Sequence, residues 1–339
     1  MTTATTITGG ITNLNNAPST LAGAILKNTS LVNSSKLDAN AAVQATVGGS
    51  YNLDQAGGSI VATNNEVIVT LVGGAANNQL LVANDKAGTV LQAGTGAGQT
   101  LVGGAGGQLL GTSAVGNGSA TILGGIGNDT VVAAAGNNVL TAGDGSNVIL
   151  SAGGNNQIFA AGNDTVYAAG GNATIGAGMG NAQIMITKGN NLIAGGSGNT
   201  TIAAAAGNNT VFGGSGNSLI AGGAGNDLLV GNTFKGGTAV IGGFAGNDTI
   251  IGGVGNDTLF GGEGNDIFVF STVFGGGKHV IGDFKAGTDL IAVQGYGLTA
   301  AQVASRVTVS GGSSVLSLSD GTQITVAGVT NLTASNFAV

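Results

Sequence analysis

The chain has 339 residues, 68 of them glycine and one proline, with 42% hydrophobic residues, 7% charged residues and a net charge of -7. Its eight Lys and Arg residues are scattered rather than clustered, which argues against a nucleic-acid partner. No apolar run approaches the ~18 residues of a membrane span. So much glycine suggests low complexity, but the apolar content is too high for a disordered chain, so an ordered fold built mostly of turns is expected.

The N-terminal "MTTATTITGG" has neither a basic head nor an apolar core, and does not read as a Sec signal peptide. Residues 1–51 carry no repeat; "STLAGAILKNTSLVN" within them fits a short helix or an ordered cap, and the segment is read as an N-terminal cap or assembly segment. From 52 to 123 a loose repeat emerges, clearest in "GGAANNQLLV" and "AGTGAGQTLV", and is expected to form degenerate solenoid coils.

From Gly124 to Val269 the repeat becomes regular, in sixteen units of which thirteen have nine residues. The eighth position is always apolar, from Val131 through Ile184, Ile202 and Val240 to Leu259 and Phe268, while glycine dominates the fourth and asparagine the fifth. "GGxGN" makes a tight turn, and the three residues after it are too few for a helix and form a short strand. Alternation sends position eight inward and positions seven and nine outward. Two units then make a coil, and a column of aliphatic side chains fills the space between two parallel sheets, buried only because coils stack. Alternate units share an edge. After the array, "VTVSGGSSVLSLSDGTQITV" alternates apolar and polar residues and predicts antiparallel strands closing the last coil.

"GGAGNDLLV", "GGVGNDTLF" and "GGEGNDIFV" match the G-G-x-G-x-D-x-U-x nonapeptide, and the chain here resembles the RTX family of calcium-binding β-rolls. The fold expected is therefore all-β, a parallel β-roll or β-solenoid with a C-terminal β cap. The resemblance implies Ca²⁺ held between successive turns by Asp carboxylates and turn carbonyls, a donor set suited to a hard cation. The sixth position is Asp at Asp129, Asp164, Asp227, Asp248, Asp257 and Asp266, Asn at Asn138, Asn147, Asn156, Asn191 and Asn209, and small or hydroxylic elsewhere. Asp227, Asp248 and Asp266 fall consecutively on one edge; Asp257 falls on the other. "HVIGDFKAGTDLI" resembles the family's acidic terminating segment, and its Asp283 and Asp289 are the expected partners of Asp257. Asp129 and Asp164, separated by Asn147, are expected to bind weakly or not at all. The middle asparagines should satisfy one another without an ion.

The resemblance also implies export through a type I secretion machinery, with residues 270–339 holding the terminating segment and secretion signal, and an extracellular or cell-surface location. No catalytic constellation is apparent: the one histidine, His279, is read as a loop residue, and no Walker lysine or HExxH exists. Position nine is apolar in many units, for example Phe159, Tyr167, Phe212 and Phe260. Apolar outward faces of that extent mark an interaction surface. The expectation is a self-assembling structural protein of a surface layer, filament or matrix. An adhesin or ligand-binding module for glycan, ice or another surface, with a cell-surface polysaccharide as partner, is the alternative, and the repeat region of a toxin or enzyme is disfavoured.

Overall fold

The computed structural model describes residues 47–53, 58–112, 118–232 and 237–339, together with the short strands Thr6–Ile7, Ile11–Leu14, Leu26–Lys27 and Ala42–Ala45. Apart from Leu26–Lys27, which pairs antiparallel with Asn52 and Leu53, the "STLAGAILKNTSLVN" stretch lies outside the described residues. The chain forms two compact units, 1–171 and 172–339, each built of the same coil. Among the described residues no helix is long and apolar enough to cross a membrane.

In the first unit one parallel sheet runs through Ala42–Ala45, Ser59–Ala62, Leu80–Val82, Gln99–Val102, Ala120–Leu123, Val139–Gly143 and Gln157–Ala160. The other runs through Gly49–Leu53, Val69–Val72, Val90–Gln92, Leu109–Gly111, Thr130–Ala133, Val148–Ser151 and Asp164–Ala168. Parallel pairing thus reaches upstream to Ala42, ahead of the visible repeat. Early coils are longer: Leu81 faces Leu101, whereas Ile122 faces Leu140. The longer coils place Gln79, Gln99 and Gln108, all buried, where shorter ones place Asn or Asp. Gln79 Oε1 accepts from Gly74 N–H, and the extra methylene spans the wider turn.

In the second unit the first sheet comprises Thr174–Ala177, Leu192–Ala194, Thr210–Gly214, Leu228–Asn232, Thr249–Gly253, Ile267–Ser271 and Leu290–Gln294. The second comprises Ala182–Ile186, Thr200–Ala204, Ser218–Ala224, Ala239–Ala245, Thr258–Glu263 and Lys278–Ile281. The inward column is as expected: Ile184, Ile193, Ile202, Val211, Ile220, Leu229, Ile250, Leu259 and Phe268 are all buried. Val240 is the exception. It is 43% exposed, and Ile241 faces Ile220 in its place. The eleven-residue unit from Gly231 thus carries its inward residue one position later than the regular units do, at Ile241 rather than Val240.

Glycine is required where successive turns touch. A Cβ on Gly225, whose φ is +133°, would lie 2.7 Å from the carbonyl carbon of Gly207 in the coil below, closer than atoms can approach. Outside the turn an amide ladder repeats coil after coil: the fifth-position Asn190, Asn208 and Asn226 each accept, through Oδ1, the backbone N–H of the residue one coil on. This supplies the reason for asparagine at position five.

The last residues add a capped helix, Ala300–Ala304, with Thr299 and Gln302 exchanging capping bonds. The strands Val307–Ser310, Ser313–Ser317 and Gln323–Val326 pair antiparallel, and Gln323–Val326 joins the second sheet beside Lys278–Ile281. The strands were expected from the alternation; the helix was not, although "TAAQ" carries its capping signature.

Candidate metal centre

Position six is the last residue of each turn, and its side chain points into the end of the coil. Asp129, Asp227, Asp248, Asp257 and Asp266 are each at most 3% exposed. On the first sheet's edge the carboxylates form a chain: Asp227 N–H donates to Asp248 Oδ1 at 2.8 Å, Asp248 N–H to Asp266 Oδ1 at 2.9 Å, and Asp266 N–H to Asp289 Oδ1 at 3.2 Å. One oxygen of each is used in this way, Asp227 Oδ1 accepting from Asn209 N–H. The other, Oδ2 of Asp227, Asp248 and Asp266, is buried without a hydrogen-bond partner.

Each orphaned oxygen faces a gap left by a glycine. A Cβ on Gly222 would stand 2.5 Å from Asp227 Oδ2 and 3.1 Å from the Gly243 carbonyl oxygen of the next coil. Gly243 is flanked in the same way by Asp248 Oδ2 and the Gly261 carbonyl. Carboxylate and carbonyl oxygens therefore converge on spaces that only glycine leaves open, and the donors are those of a hard divalent cation. Among the described residues no three acidic or histidine side chains meet at one point, so such a cation takes main-chain carbonyls as well.

Without a cation the carboxylates resist ionising. Burial pushes Asp248 up to about 6, with the charges of Asp227 and Asp266 adding to it; burial likewise raises Asp227 and Asp266. Asp129, buried on the first unit's roll, is pushed up to about 6. An acid whose folded pKa lies above its unfolded value of ~3.9 stabilises the fold least when ionised. Calcium-free chain should lose stability as pH rises from about 4 to about 6. Calcium binding should strengthen over the same window, because the cation displaces protons. Thermal melts at pH 5 and pH 7 in EGTA check this; a higher Tm at pH 7 without calcium would count against it.

Asparagine at position six removes the difficulty. Asn191 Nδ2 donates to Asn209 Oδ1 at 2.9 Å and to the Gly189 carbonyl at 2.8 Å. Asn138 does the same with Asn156 and the carbonyls of Ala135 and Gly136. Asn147 lies between Asp129 and Asp164 as expected, donating N–H and Nδ2 to Asp164 Oδ1 while its Oδ1 accepts from Asp129 N–H.

The terminating segment is arranged differently from expectation. Asp283 and Asp289 do not partner Asp257. Asp283 accepts the Gly261 and Gly262 N–H groups, and Asp289 extends the Asp227–Asp248–Asp266 chain, its Oδ2 accepting Lys285 N–H. The residue following Asp257 on its edge is His279. "GGGKHVI" is a further, degraded repeat: Lys278 N–H donates to Asn256 Oδ1 as a fifth-position residue does, and Ile281 faces Leu259. That makes His279 a sixth-position residue. It is buried, 1% exposed, and in a strand rather than a loop.

A family model for the RTX calcium-binding nonapeptide repeat matches the chain in four copies, over residues 123–158, 160–184, 203–234 and 242–271. Residues 123–271 are thus built of RTX calcium-binding repeats. The chain is a calcium-binding, all-β protein of the β-roll class. Among solved structures the chain is similar to the extracellular lipase LipA from Serratia marcescens, at 20% identity and a TM-score of 0.24, over 57% of this chain and 40% of the lipase chain. No curated protein matches it.

Proposed function

We propose that this RTX-repeat protein is secreted, binds calcium through Asp227, Asp248 and Asp266 on one edge of the roll, and assembles with copies of itself into an extracellular layer, filament or matrix. Asp283 and Asp289 close the last turn of that edge. The orphaned Oδ2 atoms in glycine-lined gaps support the ion reading. Export through a type I machinery accords with the family and is part of the proposal.

The observation that carries assembly is Phe244. Its φ is +79°, a left-handed conformation that costs a bulky residue about 1 kcal/mol or more. Its partners on the neighbouring strands at that position are Gly223 and Gly262. Yet the phenylalanine is 59% exposed, its ring lying over Gly242. With Leu219, Val240, Phe260, Ala203 and Thr201 it lines an apolar groove of about 460 Å³ on the outer face of the second sheet. A strained side chain held in water against its own stability is explained by a partner surface.

Phe244→Gly separates assembly from folding. The variant should melt at or above the parent's Tm, since glycine suits the backbone, while calcium-dependent light scattering of the full chain falls at least several-fold. A variant that assembles like the parent, or a parent that stays a monodisperse monomer at high protein and calcium concentration, would refute the assembly reading.

A further inference from the structure

The two edges of the second unit end differently, and the difference lies in one side chain. At Gly222 and Gly243 the gap beside the carboxylate is completed by a carbonyl oxygen of the next coil. At Gly252 it is not. There a Cβ would meet Asp257 Oδ2 at 2.9 Å and His279 Nδ1 at 3.1 Å. Carboxylate oxygen and imidazole nitrogen are 3.0 Å apart, both buried and neither in hydrogen-bond geometry with any group. The imidazole is fixed there by packing: its ring centroid is 5.1 Å from that of the buried Phe270, at an interplanar angle of 51°.

We propose that His279 is a built-in plug: its imidazole occupies the metal position beside Asp257, so that this edge ends without a calcium ion. Asp257 Oδ1 still does structural work, accepting Ala239 N–H at 2.7 Å. Its Oδ2, which elsewhere would face a cation, faces the imidazole. An imidazole is a poor ligand for calcium, which prefers oxygen, and the ring fills the space an ion needs. The edge of Asp227, Asp248 and Asp266 has no such ring. Its successor residue is Asp289, whose carboxylate is held by Asp266 N–H and Lys285 N–H and leaves the gaps open. Calcium would then load one edge of the roll and not the other.

This inference rests on the calcium reading above, and the test separates the two. Calcium bound per chain is measured by equilibrium dialysis on the full-length parent and on Asp248→Asn, Asp257→Asn and His279→Ala, with circular dichroism confirming each fold. Asp248→Asn should lose at least one ion, Asp257→Asn none, and His279→Ala should gain one. If the parent binds no calcium, or Asp248→Asn matches it, the calcium reading fails and the plug with it. If Asp248→Asn behaves as stated but Asp257→Asn loses an ion, or a folded His279→Ala gains none, the plug alone is overturned. Should His279→Ala not fold, Asp257→Asn in the otherwise native chain decides the matter.

Discussion

Chelating calcium from the full-length protein is expected to strip hydrogen-exchange protection from the amides of Asn209, Asp227 and Asp248 by at least ~10²-fold, while those of Ala173 and Asn191 keep theirs. All five are sixth-position residues on the same sheet edge, and their amides donate to the side chain of the next coil. They differ in what the acceptor carries. In the middle coils it is an amide whose nitrogen finds carbonyls of its own turn. In the last coils it is a carboxylate whose second oxygen is buried and unpaired, with more carboxylates one coil away. With calcium the charges are neutralised. Without it three like charges are buried in series, and each isolated buried charge is costly enough to open the local structure. Equal loss of protection in both regions would show that the asparagine coils depend on calcium as much as the aspartate coils.

Asp248→Asn should move stability in opposite directions with and without calcium. Asn209 shows what an amide does at this position: its Nδ2 donates to Asp227 Oδ1 at 3.1 Å and to the Gly207 carbonyl at 2.8 Å. An asparagine at 248 has the equivalent acceptors in Asp266 Oδ1 and its own turn. It would replace an unpaired buried charge with a satisfied amide, worth about 1–3 kcal/mol to the calcium-free fold. It would also remove one carboxylate from the middle of the cation edge, and the Tm increase on adding calcium should fall by half or more. Paired melts in EGTA and in excess calcium check both signs. A variant less stable than the parent in EGTA would mean that the carboxylate stabilises the apo fold and that the orphaned oxygen has a protein partner in solution.

Much of the fold was legible because the coil is defined by spacing. A glycine turn, a sixth-position side chain and an inward aliphatic residue recur at fixed intervals, and stacking turns that periodicity into sheets. Legibility failed where the interval changed. At Val240 a longer unit shifted the column by one residue. At His279 a repeat had lost its asparagine and aspartate, and only Gly275, Gly277 and Ile281 kept its spacing. The pairing of Asp289 with Asp266 was hidden for the same reason, since "AGTDLI" places Asp289 at position six but lacks the flanking motif. Phe244 could not be read at all from residue type. Its left-handed backbone follows from pairing between two glycines on neighbouring strands, a tertiary fact.

The amide ladder outside the turns sets a rule for how this chain can change length. Asn208 N–H reaches Asn190 and Asn226 N–H reaches Asn208 across eighteen residues, whereas Asn247 N–H reaches Asn226 across twenty-one. The same bond survives the span that is three residues longer. Duplicating or deleting a whole lap would recreate every rung, while a half-lap would swap the two sheets and bring unlike sixth-position residues into register. Growth or shrinkage of such a protein over generations is therefore quantised, and the lap between Asn226 and Asn247, which already keeps its rung over a longer span, is where a graft of foreign sequence would disturb the ruler least.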